Sequence, residues 1–224
     1  MGLRSAWLQS SLFRCATCVS NPFDSNKLWT LQGETTITDE YLDTADYRLT
    51  TNDYWLRVRD GQVELKEPIA VEAGASASMD RYVELSDPAA ILSSLSHFFP
   101  ELRGAAPSEL RAALSAQGCE AYCRIVSVRR KYGGEKGRIS VDLDIISEPS
   151  HMNYNIGEVE MMVEDEGSVA SAEEAIDAFL TEHSLATKQV ALGKVLTVIK
   201  ESNAEHFAAL RESLGAKYPK LERV

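Results

Sequence analysis

The residues most suited to chemistry in this chain lie in a hairpin predicted over 54–66, which reads YWLRVRDGQVELK. Asp60 and Gly61 separate two runs of alternating polar and apolar residues, and this arrangement is a strong signal for a two-residue turn. Such a turn fixes the register, and alternation then places one set of side chains together on one face. That face carries three cations, one anion and an indole: Trp55, Arg57, Arg59, Glu64 and Lys66. A row of guanidinium and ammonium groups can bind the oxygens of an anionic ligand.

Four further predicted strands repeat this division into a polar or charged face and an apolar face. The polar sets are Tyr82 and Glu84 in 80–85, Asp142 and Asp144 in 137–146, and Glu158 and Glu160 in 156–164, and the strand 121–132 ends in Arg129, Arg130 and Lys131. Two global arrangements fit this pattern. In the first, the charged faces all point to water, as one face of an antiparallel sheet often does. In the second, the sheet closes into a barrel with a polar interior.

The second arrangement specifies a ligand by its chemistry. Uncompensated burial of carboxylates and cations is unfavourable, so a charged barrel interior would not by itself stabilise the fold. Clustered carboxylates bind Mg²⁺ or Mn²⁺, because these ions prefer oxygen ligands. Such an ion is often bound by protein carboxylates and by the phosphates of the substrate together. Arginines and lysines on the facing strands would bind the phosphate oxygens themselves. The two requirements together point to a polyphosphate substrate accompanied by a divalent cation.

The composition describes a globular protein. The chain has 224 residues, of which 44% are hydrophobic and 25% charged, and this length suits one large domain or two small ones. Strands predicted from residue 29 onward are interrupted and then followed by helices, which we expect at 88–99, 107–118, 172–183, 187–200 and 203–215. Ser171 and Glu174 form a capping box for the third of these helices. This order of elements predicts a single α+β domain.

Charge and apolar runs limit the partners of the chain. A net charge of −11 argues against a whole-surface role in binding nucleic acid, and no apolar run approaches the roughly 18 residues of a membrane span. We expect a monomer whose partner is a small polyphosphate molecule, with neither nucleic acid nor a membrane as a partner. Residues 1–27 have no acidic residue before Asp24 and include Arg4 and Arg14, which is the composition of a mitochondrial presequence. We expect a cytoplasmic protein, with mitochondrial targeting as the alternative.

Eight short motifs give the chain a family resemblance. In order they are YLDT (41–44), WLRVR (55–59), ELK (64–66), YVEL (82–85), SVRRKY (127–132), VDLD (141–144), GEVE (157–160) and ALGK (191–194). Their order and spacing resemble the CYTH superfamily, the triphosphate tunnel metalloenzymes, and within it the thiamine triphosphatases of animals. The resemblance runs from about Trp29 to Ile199. It predicts a triphosphate-tunnel domain over 29–200, a separate N-terminal segment over 1–28 and a C-terminal helix and tail over 201–224.

The resemblance implies both a fold and an activity. The fold would be an eight-stranded antiparallel β-barrel around a tunnel that holds a triphosphate, with flanking helices. The activity would be Mg²⁺-dependent hydrolysis of thiamine triphosphate to thiamine diphosphate and phosphate. An inorganic tripolyphosphatase of the same fold is the nearest alternative within this class of enzyme.

The resemblance also assigns ligand-binding roles to individual residues. Phosphate oxygens would be bound by Arg57, Arg59, Lys66, Arg129 and Lys194, with Arg130 as an alternative to Arg129. Magnesium would be bound by Asp144, Glu158 and Glu160, with Asp142 in support. Further tunnel carboxylates would be Glu64 and Glu84, which would align the basic side chains.

Three residues would determine substrate recognition and catalysis by the same resemblance. Trp55 would pack against the thiazolium ring of thiamine, since a cation over an indole face is favourable. Lys66 with Tyr82 would activate the attacking water. For that role we expect desolvation and neighbouring arginines to lower the pKa of Lys66.

One feature of the family is missing from the sequence. Family members open with a strand bearing Glu-x-Glu-x-Lys, which supplies metal and phosphate ligands, and residues 1–28 contain no such pattern. We therefore expect the barrel to lack its first strand, so that two neighbouring edges are left unpaired. The metal site would lack two carboxylates. This absence favours a second class of function, a non-catalytic module that binds polyphosphate or a nucleotide.

Overall fold

The computed structural model describes residues 7–14, 29–69, 80–134, 139–152, 155–163, 168–183, 192–218 and 221. The strands in these ranges are β1 (Trp7–Arg14), β2 (Trp29–Asp43), β3 (Trp55–Arg59), β4 (Gln62–Pro68), β5 (Asp80–Leu85), β6 (Glu120–Gly134), β7 (Ile139–Glu148) and β8 (Asn155–Val163). Hydrogen-bonded neighbours are antiparallel and run in the order β1-β5-β4-β3-β2-β6-β7-β8. The predicted curled antiparallel sheet with flanking helices is therefore confirmed.

The strand β1 lies in the segment that the sequence analysis placed outside the resemblance. It pairs with β8 along its whole length and with β5 from Trp7 to Ser10, so it closes the sheet between these two edges. The expectation of two unpaired edges is corrected by this pairing. Strand pairing uses backbone N–H and C=O groups and needs no acidic side chain, whereas the sequence argument depended on finding Glu-x-Glu-x-Lys. The residues of β1, WLQSSLFR, include no Asp or Glu, so this strand supplies no carboxylate.

The hairpin β3–β4 folds as its turn residues predict. Asp60 and Gly61 have φ values of 47° and 88°, and a type I′ turn requires φ > 0 at both positions. The register places Trp55 opposite Lys66 and Arg57 opposite Glu64, as predicted. A turn of two residues therefore decides which side chains of the hairpin share a face.

The helices in the described ranges pack against both faces of the curled sheet. They are α1 (Pro88–Leu95), α2 (Leu110–Ala116), α3 (Val169–Glu182), α4 (Lys194–Ser202) and α5 (Ala204–Leu214), with short 3-10 turns at Thr50–Asn52, Pro100–Leu102 and Pro107–Glu109. None of these helices is long and apolar enough to cross a membrane.

The apolar faces of the strands pack outward against α1, α2 and α3, whereas α4 and α5 share a cluster with Trp55 and Tyr82 of the opposite face. Leu56 and Leu65 of the hairpin share a buried cluster with residues of α1 and α2. Val141 and Val159 of β7 and β8 share a second cluster with Ile176 of α3. Because successive side chains of a strand alternate between faces, the charged sets then point to the inside of the curled sheet. The arrangement in which all charged faces point to water is therefore wrong.

The boundaries of four helices differ from the sequence prediction. The helix α1 ends at Leu95 and α2 covers only Leu110–Ala116, so both are shorter than predicted, and α3 and α4 begin at other residues than predicted. The N-cap of α3 is Ser168, and the Ser171 hydroxyl donates to the Ser168 carbonyl from inside the first turn. The predicted capping box of Ser171 and Glu174 is therefore wrong, because an N-cap must precede the helix. The helix α4 begins at Lys194, later than predicted, and residues 184–191 lie outside the described residues. The predicted helix over 203–215 corresponds to α5, whose N-cap Asn203 accepts from the His206 N–H.

His206 anchors α5 to the 3-10 turn at Thr50–Asn52. Its Nε2 is 2.7 Å from Thr50 Oγ1, and that hydroxyl donates to the buried carboxylate of Asp43. The imidazole also stacks on the ring of Tyr47, with centroids 3.9 Å apart. Since the Thr50 proton is given to Asp43, Nε2–H of His206 is the donor to Thr50 Oγ1. Burial lowers the pKa of His206 to about 4.

We expect His206 to make the free energy of unfolding dependent on pH below neutrality. The unfolded chain takes up this proton near pH 6.5 and the folded chain only near pH 4, so stability is lost as the pH falls between these values. The loss attributable to this residue is up to about 3 kcal/mol. Urea unfolding of His206→Gln between pH 7 and pH 4 should show a shallower dependence than the unchanged chain. The matched control His97→Gln, at an exposed histidine, should leave the dependence unaltered, and equal slopes in all three proteins would contradict the assignment.

Candidate active site

The charged faces of β2 to β8 enclose a cavity of about 270 Å³. Apart from Glu64, all the residues assigned to the site from the sequence line this cavity, namely Trp55, Arg57, Arg59, Lys66, Tyr82, Glu84, Arg129, Asp142, Asp144, Glu158, Glu160 and Lys194. Glu64 lies beside it and accepts from Arg57. Tyr41 and Lys131 also line the cavity, although the sequence analysis gave them no role.

Asp39 of β2 is a site residue that the sequence analysis missed. Its fully buried carboxylate accepts two hydrogen bonds from Arg59, at 2.7 and 3.0 Å, and lies 2.7 Å from Lys194 Nζ. Arg57 Nε is 3.9 Å from the same carboxylate. Burial alone would raise the pKa of Asp39, but these three cations outweigh it and hold that pKa well below its usual range. The alternation of β2, in which Asp39 precedes Tyr41 by two residues, was the available signal.

Lys194 is placed by the start of a helix. It is the first residue of α4, directly after Gly193, where the helix dipole disfavours a positive charge. Its ammonium group compensates by lying 2.7 Å from Asp39 and 3.2 Å from Asp144. One lysine from outside the sheet thus joins carboxylates of β2 and β7.

Arg129 forms the densest charge cluster of the cavity. It donates two hydrogen bonds to Asp144, at 2.6 and 2.8 Å, and one to Asp142 at 2.6 Å. Burial alone would lower the pKa of Arg129, but the two aspartates outweigh it and raise that pKa. The next residue, Arg130, donates instead to Glu34 at 2.7 Å on the outer surface. Alternation along β6 therefore places Arg129, and not Arg130, in the cavity.

The hairpin cations are held by carboxylates as well. Arg57 is 5% exposed and its guanidinium lies 2.6 Å from Glu64, while Lys66 Nζ lies 2.9 Å from Glu84. Burial alone would lower the pKa of Lys66, but Glu84 and Glu158 outweigh it and raise that pKa. The expected lowering of the Lys66 pKa is therefore wrong, because the sequence argument counted the neighbouring arginines without the carboxylates between them.

A second group of carboxylates has fewer cationic partners. Asp142 pairs with Glu158 across β7 and β8, and Glu160 follows two residues later on the same face. Burial, followed by the charges of Glu158 and Asp142, raises the pKa of Glu160 to about 7. Asp142 Oδ1 is buried and accepts no hydrogen bond from the described residues, and Lys131 Nζ lies 3.3 Å away. This surplus of negative charge is compatible with a bound cation.

The donor set fits a divalent cation in chemical type. Carboxylate oxygens of Asp142, Glu158 and Glu160 are the ligands that Mg²⁺ and Mn²⁺ prefer, and the Asp142 oxygen without a hydrogen bond is one such donor. Within the described residues, however, no group of three Asp, Glu, His or Cys side chains is already arranged to hold a metal ion. Asp144, which the sequence analysis assigned to the metal, is paired with Arg129 and Lys194. A cation at this place would therefore be completed by oxygens from its substrate or from water.

Trp55 and Tyr82 form an aromatic part of the cavity wall. The indole N–H of Trp55 and the hydroxyl of Tyr82 both donate to Asp53, at 3.0 and 2.8 Å. Lys66 Nζ lies 6.0 Å from the centroid of the Tyr82 ring. The predicted pair of Lys66 and Tyr82 is therefore close in space, but the Tyr82 hydroxyl is directed to Asp53.

The walls of the cavity are complementary in charge. Six basic side chains from β3, β4, β6 and α4 converge on one space, and each lies within 4 Å of a carboxylate. Cations fixed in this way are preorganised to bind several oxygens of one anion. A curled antiparallel sheet whose charged strand faces enclose a cavity defines the class of fold to which this chain belongs. The CYTH domain family matches residues 20–192, and the chain belongs to this family, as predicted.

Curated relatives are similar over most of the chain. Thiamine-triphosphatase of Homo sapiens is 27% identical over 191 residues, which cover 82% of this chain and 80% of the human protein. Thiamine-triphosphatase of Macaca fascicularis is 26% identical over 196 residues, which cover 84% and 82% of the two chains.

Solved structures share the fold at low sequence identity. The PH1819 protein of Pyrococcus horikoshii OT3 superposes with a TM-score of 0.55 at 17% identity, covering 88% of this chain and 99% of that one. A putative adenylyl cyclase from Hippeastrum, HpAC1, superposes with a TM-score of 0.51 at 15% identity and covers 88% and 95%. That protein has a dominant triphosphatase activity.

Proposed function

We propose that this chain hydrolyses thiamine triphosphate to thiamine diphosphate and phosphate in a Mg²⁺-dependent reaction. The observation that carries the proposal is the convergence of Arg57, Arg59, Lys66, Arg129 and Lys194 on a cavity that also contains Glu158 and Glu160. The phosphate oxygens of a triphosphate would pair with these five basic side chains, which we call the basic row. A divalent cation would balance the charge of the remaining carboxylates. The names of the curated relatives support thiamine triphosphate as the substrate, and Trp55 is suited to its cationic ring.

In the proposed reaction the basic residues bind and orient the triphosphate for attack by water on its terminal phosphorus. Phosphoryl transfer depends mainly on positioning and on neutralising charge at the phosphate oxygens. Asp39 holds Arg59 and Lys194 in place, and Asp144 holds Arg129. A magnesium ion, when bound at Glu158, Glu160 and Asp142, supplies further positive charge to the phosphates.

Lys66 has a different part in this proposal from the one that the resemblance assigned. Glu84 keeps it an ammonium ion, so it binds a phosphate oxygen rather than removing a proton from water. Tyr82, whose hydroxyl is directed to Asp53, contributes to the wall around the organic end of the substrate.

A second candidate function is binding of tripolyphosphate or a nucleotide without hydrolysis. The observation that favours it is β1, which contains no Asp or Glu beside the carboxylates of β8. An inorganic tripolyphosphatase is intermediate between the two candidates. It would hydrolyse its substrate and bind it through the same basic row, but that substrate has no thiamine moiety.

The proposal predicts selective phosphate release and a difference between two adjacent arginines. With Mg²⁺, the purified chain should release phosphate from thiamine triphosphate faster than from tripolyphosphate or ATP. Arg129→Met should lose at least about 100-fold in kcat/KM, the scale of removing a preorganised charge-stabilising group. The matched control Arg130→Met, which loses an arginine on the outer surface, should stay within about twofold of the unchanged chain.

Three other outcomes are informative. Hydrolysis of tripolyphosphate in preference to thiamine triphosphate would replace the proposed substrate with an inorganic one. Calorimetric binding of tripolyphosphate without phosphate release from any substrate would favour the binding module. Equal losses in Arg129→Met and Arg130→Met would show that the cavity is not the site of the reaction.

A further inference from the structure

Asp53 collects hydrogen-bond donors from three separate parts of the chain. Its Oδ1 accepts from Trp55 Nε1 at 3.0 Å and from Tyr82 OH at 2.8 Å. Its Oδ2 accepts from Lys217 Nζ at 2.7 Å and from Tyr218 OH at 2.6 Å. Each carboxylate oxygen therefore accepts from two protein donors, and the residue is only 2% exposed. A buried carboxylate bonded on both oxygens fixes the orientation of the groups around it.

Two of these donors line the cavity. Trp55 of β3 and Tyr82 of β5 both contribute to its wall. Turning the Trp55 indole about its Cβ–Cγ bond, or displacing the Tyr82 ring as a whole, breaks a hydrogen bond to Asp53. Attraction between a cation and an aromatic ring depends on the ring face being turned to the cation within about 6 Å. The hydrogen bond from the indole N–H therefore holds the face of Trp55 in one orientation, and the hydrogen bond from the Tyr82 hydroxyl keeps that ring beside it.

The other two donors belong to the segment that follows α5. Trp55 shares a hydrophobic cluster with Phe207, Leu210 and Tyr218, so α5 and the residues after it pack against the indole. The same helix is anchored through His206 to Thr50, three residues before Asp53. The C-terminal segment 204–218 and the turn 50–53 thus form one unit in contact with the aromatic wall.

We propose that Asp53 is a positioning residue that presents Trp55 and Tyr82 to the organic cation of the substrate, and that the C-terminal segment 204–218 determines substrate selectivity through Asp53. This inference rests on the proposed function. The basic row acts on the triphosphate, which thiamine triphosphate and tripolyphosphate share. Asp53 and Tyr218 act on the part of the substrate that tripolyphosphate lacks.

The kinetic test compares the two substrates in Asp53→Asn and Tyr218→Phe. Asparagine tolerates the left-handed backbone at Asp53, whose φ is 67°, so the first variant removes charge without straining the chain. Asp53→Asn should raise KM for thiamine triphosphate about tenfold while changing kcat/KM for tripolyphosphate less than about twofold. Tyr218→Phe should change KM in the same direction by a smaller factor. Equal changes for both substrates, or none for either, would overturn the selectivity role.

Matched controls exist on the outer surface. Asp46→Asn alters an exposed carboxylate in the loop preceding the 3-10 turn, and Tyr54→Phe removes a hydroxyl directed to Glu67 rather than Asp53. Both controls should retain the KM values of the unchanged chain. If Asp53→Asn fails to fold, Tyr218→Phe and its control Tyr54→Phe still decide the question.

A spectroscopic test needs no hydrolysis and separates this inference from the proposed function. The chain has three tryptophans, so Trp7→Phe with Trp29→Phe leaves Trp55 as the only indole. In that background Asp53→Asn should shift the emission of Trp55 to longer wavelength and increase its quenching by acrylamide, because the indole loses its anchor. Unaltered emission in a folded variant would overturn the positioning role even if the unchanged chain hydrolyses thiamine triphosphate. Altered emission together with no hydrolysis by the unchanged chain would contradict the proposed function and leave the positioning role standing.

Discussion

Replacing Asp39 with asparagine is expected to lower kcat/KM for thiamine triphosphate by at least about 100-fold, the loss that follows from misplacing reacting groups by about 1 Å. Asparagine keeps the size of the side chain and removes its charge. Arg57, Arg59 and Lys194, which now share the Asp39 carboxylate, would then repel one another and leave their present positions. The unfolding free energy should also fall by roughly 3 kcal/mol, since buried cations lose their counter-charge. Steady-state kinetics and urea unfolding of one preparation measure both effects.

A carboxylate on the same strand provides the control for Asp39. Glu34 of β2 lies 2.7 Å from Arg130 on the outer surface, where both side chains are well exposed. Exposed ion pairs contribute about 0–1 kcal/mol, so Glu34→Gln should retain activity within about twofold and unfold nearly as the unchanged chain does. Full activity in Asp39→Asn would contradict the alignment of the basic row by Asp39.

Replacing Glu160 with glutamine is expected to raise the Mg²⁺ concentration for half-maximal activity by about 10- to 100-fold. An amide in place of a carboxylate removes one of the negative charges that would hold the ion. Glu158 and Asp142 lie on paired strands, so they cannot shift to replace the lost ligand. The variant should bind tripolyphosphate in the absence of metal at least as well as the unchanged chain, because a negative charge has left the cavity. Magnesium titration of the rate and calorimetry with tripolyphosphate test the two statements separately.

Glu148→Gln is the matched control for this variant. Glu148 is at the end of β7 and pairs with Arg124 on the surface, where both side chains are about half exposed. Its replacement should leave the magnesium dependence within about twofold of the original. Identical magnesium dependence in Glu160→Gln would show that the proposed metal ligands are wrong, even with the triphosphatase activity intact.

The local sequence pattern correctly predicted the β3–β4 hairpin and which of its side chains share a face. The two-residue turn at Asp60 and Gly61 determines register by itself, and period-2 alternation then determines which side chains share a face. These are properties of neighbouring residues, so Arg57 opposite Glu64 follows from sequence alone. The ordered motifs identified the CYTH family for the same reason, since each motif is a short stretch of one strand or loop.

The ionisation of Lys66 and the importance of Asp39 did not follow from the sequence. Burial and arginines would have lowered the Lys66 pKa, but Glu84, from a different strand, decides the sign. Asp39 lies outside the eight motifs of the sequence analysis. It holds the basic side chains together because β2 pairs with β3 while α4 brings Lys194 to the same carboxylate. Both properties depend on distances between elements far apart in the chain.

The sequence by itself determined the strands β2 to β8, the charged faces and the family of this protein, because alternation and turn chemistry act over a few residues. Only the tertiary structure decided that the charged faces enclose one cavity, that β1 pairs with both β5 and β8 without a carboxylate, and that α5 and Asp53 contact Trp55. Electrostatic energy depends on the distance between charges and on their burial, and folding sets both quantities for residues separated by more than a hundred positions.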